Sequence, residues 1–334
     1  MAVEQGTNQI SADIPDIAGL IQTDDLLANL PITSCELVSG GFAHHVFRLD
    51  FGGETLYLKH RGERFARVPE ITCNPDDIDY ESKALSLFGH SSSGFFPEIL
   101  QHDKERHYLV LTDVLGNRQT LEQILILGEA NPIMINRLGN ALHCVHAASE
   151  HITEAVRPDD DSEYYTRVLG HRFGFEENPG LNSVTEELAL IPERNLILGD
   201  ASPKNIGVNY DPDSAEYSFS FFDLETAHKG NHVFDYAYLL GHLLLHTAPD
   251  RDIASKIVES FEGGYGENSF SPALVKRICL GIMLYRLKGA IPYDTGHIDE
   301  VNTKLEYNIR KLLNIDLSDI NWSDICEELA TSLW

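Results

Sequence analysis

The possible folds of this chain are restricted most strongly by two apolar segments that each end in polar residues. The first, LILGDASPKNIGV, spans 196–208, and the second, SFSFFDLETA, spans 218–227. A glycine and a proline break the first segment into a strand and a loop, and this loop carries Asp200 and Asn205 five positions apart. Asp223 follows the phenylalanine-rich strand of the second segment. We therefore expect three oxygen-bearing side chains at the ends of two strands.

Length and composition are typical of a globular chain. The 334 residues suit one large domain or two lobes, and 43% hydrophobic with 23% charged residues are ordinary values for a folded protein. No apolar run is long enough to span a bilayer, and the first residues lack the basic and apolar segments of a secretory signal. Five scattered cysteines without a CxxC pair predict reduced thiols. We expect a cytoplasmic protein with no membrane partner.

The formal net charge of -27 is unusual. Nucleic acids and anionic membranes are bound by basic faces, so this charge argues against a nucleic-acid partner. Two explanations stay open: an acidic cleft that attracts a cationic substrate, or a generally acidic surface of the kind found in proteins adapted to high salt. The sequence does not indicate the oligomeric state.

The N-terminal part of the chain predicts an antiparallel meander. Residues 46–51 and 55–59 are rich in β-forming residues and are separated by two glycines. Directly ahead of residues 46–51, the loop 39–45 contains Gly40 and Gly41, whose main-chain amides could approach a phosphate group. A glycine pair between strands also occurs as a simple turn, which is the alternative interpretation.

An acidic residue lies on the apolar face of a predicted helix. In the segment 77–88, Glu81 shares one helical face with three apolar residues. A buried carboxylate is costly unless it is paired, and Lys59 in the preceding strand is the nearest upstream partner. In phosphoryl transfer from a nucleotide, a lysine held by a helix glutamate binds the phosphates. The alternative is a partly exposed Glu81 at the helix edge.

A break in the apolar pattern predicts where one lobe ends. The strand 106–112 runs into the sequence DVLG, whose glycine marks the break. Main-chain groups around Thr112 and Val114 would then be free to hydrogen bond the edge of an adenine. The next segment, 133–146, has the apolar period of a core helix. We expect an N-terminal extension at 1–30, a nucleotide-binding N-lobe at 31–115, and a catalytic and substrate-binding C-lobe at 116–334.

The three oxygen-bearing side chains suit phosphoryl transfer to a hydroxyl group. This reaction needs a carboxylate that orients and deprotonates the nucleophile, and oxygen ligands for Mg²⁺ that bridges the phosphates of ATP. Asp200 is the candidate base, and Asn205 and Asp223 are the candidate metal ligands.

These motifs resemble those of a known family. GDxxPxN, followed by a hydrophobic strand and DxE, is the pattern of aminoglycoside phosphotransferases and choline kinases, and GDASPKN with FFDLE is similar to it. VFDYAYLLGHLL is similar to the family helix whose aspartate, here Asp235, braces the catalytic loop. The resemblance runs from Cys35 to Leu313. The family usually has His before Gly-Asp, whereas this chain has Leu198, which puts the bracing of the loop in question.

The resemblance implies an α+β, protein-kinase-like fold with two lobes, a small β-rich N-lobe and a larger, mostly helical C-lobe. Lys59 and Glu81 fall where the family keeps its nucleotide-holding pair. The implied activity is ATP- and Mg²⁺-dependent phosphorylation of a hydroxyl on a small molecule, such as an aminoglycoside, an amino alcohol or a sugar-like compound.

The acceptor and the type of activity leave alternatives open. The family's acceptor site lies between helices and the catalytic loop, and the candidates here include the acidic stretch 159–163 and Tyr164-Tyr165. A pseudokinase that binds nucleotide without turnover is the alternative function, motivated by Leu198 and by an unusual glycine loop that is not GxGxxG. A protein kinase is disfavoured because the HRD, DFG and APE motifs are absent.

Overall fold

A computed structural model describes residues 15–38, 43–92, 94–116, 118–157, 161–192, 194–289 and 293–330. Contacts within the chain divide it into two units. The first comprises Met1–Ser86 and Pro97–Gly116, and the second comprises Leu87–Phe96 and Asn117–Trp334. No helix in the described ranges is both long and apolar enough to cross a bilayer.

The first unit is built on an antiparallel sheet of five strands. These are β1 (Ile32–Leu37), β2 (His45–Phe51), β3 (Glu54–His60), β4 (Ile99–Asp103) and β5 (Tyr108–Thr112), in the order β1-β2-β3-β5-β4. Gly52 and Gly53 join β2 to β3 with φ values of 54° and 90°, as a tight hairpin turn requires. The predicted meander is therefore confirmed.

One face of this sheet is covered by the segment that precedes it. This segment contains helix α1 (Ile17–Thr23) and the 3₁₀ turn Leu27–Asn29. Asp24, between them, is buried and accepts hydrogen bonds from the Leu27 N–H at 2.8 Å and from the Tyr108 hydroxyl. The apolar cluster at this face contains Ile17, Leu20, Leu27, Phe47, Leu49, Leu56, Leu58, Tyr108 and Val110.

The opposite face of the sheet carries helix α2 (Ile78–Ser91). Side chains alternate along a strand, so Lys59 points away from the face that its neighbour Leu58 occupies. Lys59 contacts Glu81 on α2, with Nζ 2.7 Å from Oε2. The alternation of β3 therefore turns Lys59 towards a helix, while Leu56 and Leu58 belong to the apolar cluster.

The second unit is mostly helical. Its helices are α3 (Leu121–Ile126), α4 (Pro132–Ser149), α5 (Asp161–Phe173), α6 (Pro179–Leu190), α7 (His232–Thr247), α8 (Arg251–Tyr265), α9 (Pro272–Lys288), α10 (Asp299–Leu313) and α11 (Trp322–Ala330). Helix α7 is the centre of the packing, because all its residues from His232 to His246 are buried. Ser271 caps α9 by accepting a hydrogen bond from the Leu274 N–H.

Two small sheets complete the second unit. One pairs β7 (Asn195–Ile197) with β10 (His228–Gly230), and the other is formed by β6 (Gln119–Thr120), β8 (Ile206–Asp211) and β9 (Glu216–Phe221). All pairs in both sheets are antiparallel. The apolar segments that flank Asp200 and precede Asp223 are thus strands, as predicted.

Helices α4 and α8 approach each other closely because both carry glycine at their contact. A Cβ atom added at Gly139 would lie 2.4 Å from the carbonyl oxygen of Phe261, and one added at Gly264 would lie 1.8 Å from that of Asn136. By contrast, a Cβ at Gly263 would meet its nearest atom, Nδ2 of Asn136, at 3.6 Å.

We predict opposite effects for alanine at two adjacent positions of α8. Gly264→Ala should lower the free energy of unfolding by about 2 kcal/mol, because the new methyl group forces the two backbones apart. Gly263→Ala should be neutral or stabilising by up to about 1 kcal/mol, because alanine favours the helix and the space is open. Urea denaturation measures both values. Equal stability of the two variants would contradict the close helix contact.

Candidate active site

The loop that leads from β7 to β8 is held by one carboxylate. Asp235 on α7 accepts a hydrogen bond from the Leu198 N–H at 2.6 Å and another from the Gly199 N–H at 2.9 Å. Each bond uses a different oxygen of Asp235, which is completely buried. The bracing role implied by the resemblance is therefore present in the structure.

The residue before Asp200 must be glycine. Gly199 has φ of 75°, in the left-handed region, and a Cβ atom there would lie 2.3 Å from the carbonyl oxygen of Thr226. Thr226 also donates its hydroxyl to the carbonyl oxygen of Leu198 at 3.3 Å. The loop is therefore braced through its main chain, so the brace does not require a histidine side chain at Leu198.

Asp235 is buried among neutral histidines. Burial raises the pKa of Asp235 to about 6, although the two loop N–H groups favour its ionised form. Nε2 of His146 lies 3.5 Å from Oδ2 of Asp235, and burial lowers the pKa of His146 to about 3. The ring of His146 stacks on His232 with centroids 4.2 Å apart. The brace is thus stabilised by hydrogen bonds rather than by a buried cation.

Asp200 lies in a cationic environment. Its Oδ1 accepts a hydrogen bond from the Tyr238 hydroxyl at 2.6 Å and lies 3.4 Å from the Arg286 guanidinium. Arg172 lies 4.0 Å from the same oxygen, and Lys204 lies 4.0 Å from Oδ2. Three cations therefore surround a single carboxylate.

These neighbours keep Asp200 ionised. Burial alone would raise its pKa, but Lys204, Arg172 and Arg286, together with the Tyr238 hydroxyl, hold the pKa well below its usual value. At neutral pH the Asp200 carboxylate is charged and available to accept a hydrogen bond.

A chain of hydrogen bonds fixes the orientation of Tyr238. Arg286 donates from a terminal nitrogen to the Tyr238 hydroxyl at 2.7 Å and from Nε to Nε2 of His242 at 2.8 Å. His242 donates from Nδ1 to the Tyr238 carbonyl oxygen at 2.8 Å. Burial and the charge of Arg286 lower the pKa of His242, which is consistent with the neutral form that this chain requires. Tyr238 therefore presents its proton to Asp200.

The β8–β9 hairpin brings together the two predicted metal ligands. Ile206 at the start of β8 pairs with Phe221 at the end of β9, and the Phe222 N–H donates to the Asn205 carbonyl oxygen at 3.0 Å. Asn205 and Asp223 therefore leave the hairpin at the same end. Asp223 has φ of 63°, a left-handed conformation that aspartate tolerates better than most residues.

The donor set suits Mg²⁺. Nδ2 of Asn205 donates to the main-chain oxygen of Asp200 at 3.2 Å and to its Oδ2 at 3.4 Å. This orientation leaves the amide oxygen of Asn205 for a cation. Amide and carboxylate oxygens are the hard ligands that Mg²⁺ prefers, so Asn205 and Asp223 fit the ion.

In the first unit, the structure brings the predicted lysine and glutamate together. Nζ of Lys59 lies 2.8 Å from Oε1 of Glu81, and both residues are buried. His44 lies beside this pair, with Nε2 3.9 Å from the Glu81 carboxylate and 3.2 Å from the Arg61 guanidinium. Burial, with Lys59 and Arg61, keeps the pKa of His44 well below its usual value, so His44 accepts a hydrogen bond from Arg61.

Thr112 and Val114, the residues predicted to bind the adenine, differ in whether their main-chain groups already make hydrogen bonds. The Thr112 N–H donates to the Glu98 carbonyl oxygen at 3.0 Å, so it is already used. Val114 lies beyond β5, and no described residue makes a hydrogen bond to its main chain. Val114 is thus the better candidate for an adenine edge. Gly40 and Gly41 lie outside the described residues.

Several residues around Asp200 are not evident from the sequence. Tyr238 could have been found, because it follows Asp235 by one turn of the same helix. Arg172 and Arg286 lie in helices far along the chain and carry no local signal. Of the predicted acceptor residues, Tyr165 is buried and donates its hydroxyl to Asn231 at 2.7 Å, and residues 159–160 lie outside the described part of the chain.

Comparison with solved structures identifies the fold. The sequence matches no protein-family model, and no curated protein matches it. The structure is similar to the GDP and kanamycin complex of APH(2")-IIia, with a TM-score of 0.56 at 14% identity over 94% of this chain and 96% of that chain. It is also similar to spectinomycin phosphotransferase APH(9)-Ia in complex with ADP and spectinomycin, with a TM-score of 0.53 at 13% identity over 94% and 97%.

The chain has the fold of these phosphotransferases. The predicted α+β, protein-kinase-like fold, with a small β-rich N-lobe and a larger, mostly helical C-lobe, is confirmed. At this level of identity the similarity extends to the fold, and the roles of individual residues follow from their own geometry.

We predict that Asp235 contributes a pH dependence to stability. Because its pKa is raised from 3.8 to about 6 on folding, its stabilising contribution is complete below pH 3.8 and is lost as the pH rises through 6. As the pH rises from about 3.8 to about 6, the unfolding free energy of the wild type relative to Asp235→Asn should therefore fall by up to about 1.4 kcal/mol per pH unit, and it should be constant above about pH 7.

The pH dependence has a matched control. Asp250 caps α8 by accepting hydrogen bonds from two N–H groups, and asparagine is an equally good cap, so Asp250→Asn should leave stability nearly unchanged. Thermal or urea unfolding across the pH range measures all three proteins. A difference between wild type and Asp235→Asn that does not vary with pH would contradict the raised pKa.

Proposed function

We propose that this protein is an ATP- and Mg²⁺-dependent phosphotransferase that phosphorylates a hydroxyl of a small molecule, with Asp200 as the catalytic base. The observation that carries this proposal is an ionised, oriented carboxylate at Asp200 in a loop braced by Asp235. The fold shared with phosphotransferases that were solved with GDP and ADP is consistent with it.

The geometry suits a reaction that depends on positioning. Phosphoryl transfer passes through a loose transition state, so the base needs to orient the acceptor hydroxyl more than to remove its proton early. An Asp200 whose pKa is held low by three cations is a weak base but a well-fixed hydrogen-bond acceptor. Tyr238 and Arg286 keep it in place.

The remaining site residues are assigned to nucleotide and metal. Lys59, held by Glu81, would bind the phosphates, with main-chain amides of Gly40 and Gly41 close to them. Main-chain groups near Thr112 and Val114 would bind the adenine. These assignments give the nucleotide to the N-lobe at 31–115 and catalysis to the C-lobe at 116–334.

Asn205 and Asp223 would hold Mg²⁺. The ion neutralises charge on the phosphate oxygens when it is bound. The Asn205 amide also donates to Asp200, so the same side chain links the metal position to the base. A small-molecule hydroxyl substrate in the cytoplasm, without nucleic-acid or membrane partners, completes the proposal.

The pseudokinase alternative loses part of its motivation. It rested on Leu198 and on the unusual glycine loop. The loop is braced through main-chain N–H groups, so leucine at position 198 does not remove the brace. The proposed base and metal ligands are all present.

Three alanine variants test the assignments. Asp200→Ala should lower turnover by about 100- to 10,000-fold, because the substrate hydroxyl loses the carboxylate that accepts its hydrogen bond. ATP binding should be retained. Asp223→Ala should lose Mg²⁺-dependent ATP binding. Asp213→Ala, in the exposed turn of the same hairpin, should change neither. Calorimetry measures binding, and a coupled ADP assay over a panel of hydroxyl compounds measures turnover.

The outcomes separate the alternatives. Turnover that survives in Asp200→Ala would overturn the role of this residue. Mg²⁺-dependent ATP binding by the wild type, with no turnover on aminoglycosides, amino alcohols, sugars or sugar acids, would favour the pseudokinase.

A further inference from the structure

Two buried guanidinium groups lie beside Asp200 and share it as their ion-pair partner. Arg172 and Arg286 expose only 7% and 5% of their surface. Among the residues that the structure describes, Asp200 is the only carboxylate within 4.0 Å of either guanidinium. A buried charge is costly unless it is paired. Two guanidinium groups that share one carboxylate therefore favour the binding of a second anion.

Arg172 has unused capacity to bind such an anion. Its Nε atom is buried and makes no hydrogen bond to any described residue. Arg286, in contrast, uses Nε and one terminal nitrogen on His242, Tyr238 and Asp200. Arg172 thus has an N–H donor, at Nε, that could bind an anion, and Arg286 adds positive charge beside it.

The two guanidinium groups lie on one side of Asp200. Both are nearest to Oδ1, whereas Oδ2 faces Asn205 and Lys204. Since Asn205 is the proposed metal ligand, Oδ2 marks the phosphate side of the carboxylate. The guanidinium groups therefore belong to the acceptor side.

Aromatic rings hold both guanidinium groups in place. The Arg172 guanidinium lies 5.3 Å from the ring centroid of Tyr238 and 5.0 Å from that of Tyr285. Arg286 lies 5.0 Å from the ring of Tyr293. Ordered guanidinium groups bind carboxylates and phosphates with little loss of conformational entropy.

An acid near this cluster, Glu122, does not form a close ion pair with either guanidinium group. Glu122 is half-buried and is influenced by Lys204, Arg286 and Tyr293. Burial raises the pKa of Glu122. It makes no ion pair within 4.0 Å with a described residue. The buried Nε of Arg172 therefore has no carboxylate partner among the described residues, and an anion from a bound molecule can supply one.

The geometry points to an acceptor that carries an anionic group, a carboxylate or a phosphate, close to the hydroxyl that is phosphorylated. Arg172 binds this group, with Arg286 beside it, while Asp200 orients the hydroxyl. This inference rests on the proposed function, and it departs from the cationic acceptor that the acidic composition allows.

Matched acceptors test the inference. Glucose, gluconate and glucosamine share one carbon skeleton but are neutral, anionic and cationic, and ribose with ribose 5-phosphate supplies a phosphate pair. At constant ionic strength, the anionic member of each set should have kcat/KM about 10- to 100-fold above its neutral counterpart. Higher kcat/KM for neutral or cationic members, or for kanamycin, would overturn the inference and leave the proposed kinase intact.

A substitution at Arg172 tests the residue. Arg172→Gln should reduce the ratio of kcat/KM between anionic and neutral acceptors to near 1, and Arg172→Lys should keep part of it. The ratio is the readout, because any effect of Arg172 on Asp200 itself changes both acceptors equally. Arg167→Gln, an exposed arginine of the same helix, is the matched control and should keep the wild-type ratio.

Binding provides a readout without turnover. Gluconate and ribose 5-phosphate should raise the Tm of the wild type more than glucose and ribose do, and Arg172→Gln should abolish the difference. If this holds while no compound is phosphorylated, the anion site stands and the proposed function fails. If anions stabilise the wild type no more than neutral compounds, the inference fails.

The same variants show whether Arg172 binds an anionic group of the acceptor or the transferring phosphate of ATP. If Arg172→Gln weakens binding of ATP but not of ADP and leaves the acceptor ratio unchanged, the guanidinium serves the transferring phosphate. That outcome would overturn the inference. Unchanged ATP binding with a lost acceptor preference would support it.

Discussion

The two hydrogen bonds that Asp235 accepts from the main chain of Leu198 and Gly199 determine the shape of the candidate site. Asp235 belongs to α7, a helix that is buried along its length, so the anchor cannot move without disturbing the core. One turn further along the same helix, Tyr238 donates its hydroxyl to Asp200. A single rigid helix thus positions both the main chain of the loop and the carboxylate that the loop carries.

Asp235 is fully buried and Asp200 is partly buried, and their environments shift their pKa values in opposite directions. Asp235 has two N–H donors and neutral histidines around it, so burial prevails and its pKa rises to about 6. Asp200 has three cations and a tyrosine hydroxyl, which outweigh burial and lower its pKa. Two acids with pKa values pushed apart suit different tasks, and the difference here separates the group that braces the loop from the proposed base.

The parts of the site that the sequence predicts are those with local signals. The loop around Asp200 and the hairpin that joins Asn205 to Asp223 are short segments, and the spacing of their residues already places them at strand ends. Glu81 was predicted to pair with Lys59 because a carboxylate on an apolar helix face needs a partner. The core helix predicted at 133–146 corresponds to α4, Pro132–Ser149, as its apolar period allows. Arg286, in contrast, reaches Asp200 across 86 residues of sequence, and only the packing of α9 against α7 brings it there.

The charge around Asp200 likewise depends on the fold and differs from the net charge of the chain. A net charge of -27 describes the sum over the surface, and salt screens exposed charges beyond about 10 Å. Arg172 and Arg286 are buried within 4.0 Å of Asp200 and act on it with little screening. The charged groups nearest to Asp200 are thus cationic although the net charge is negative, so the composition does not determine the charge of the acceptor.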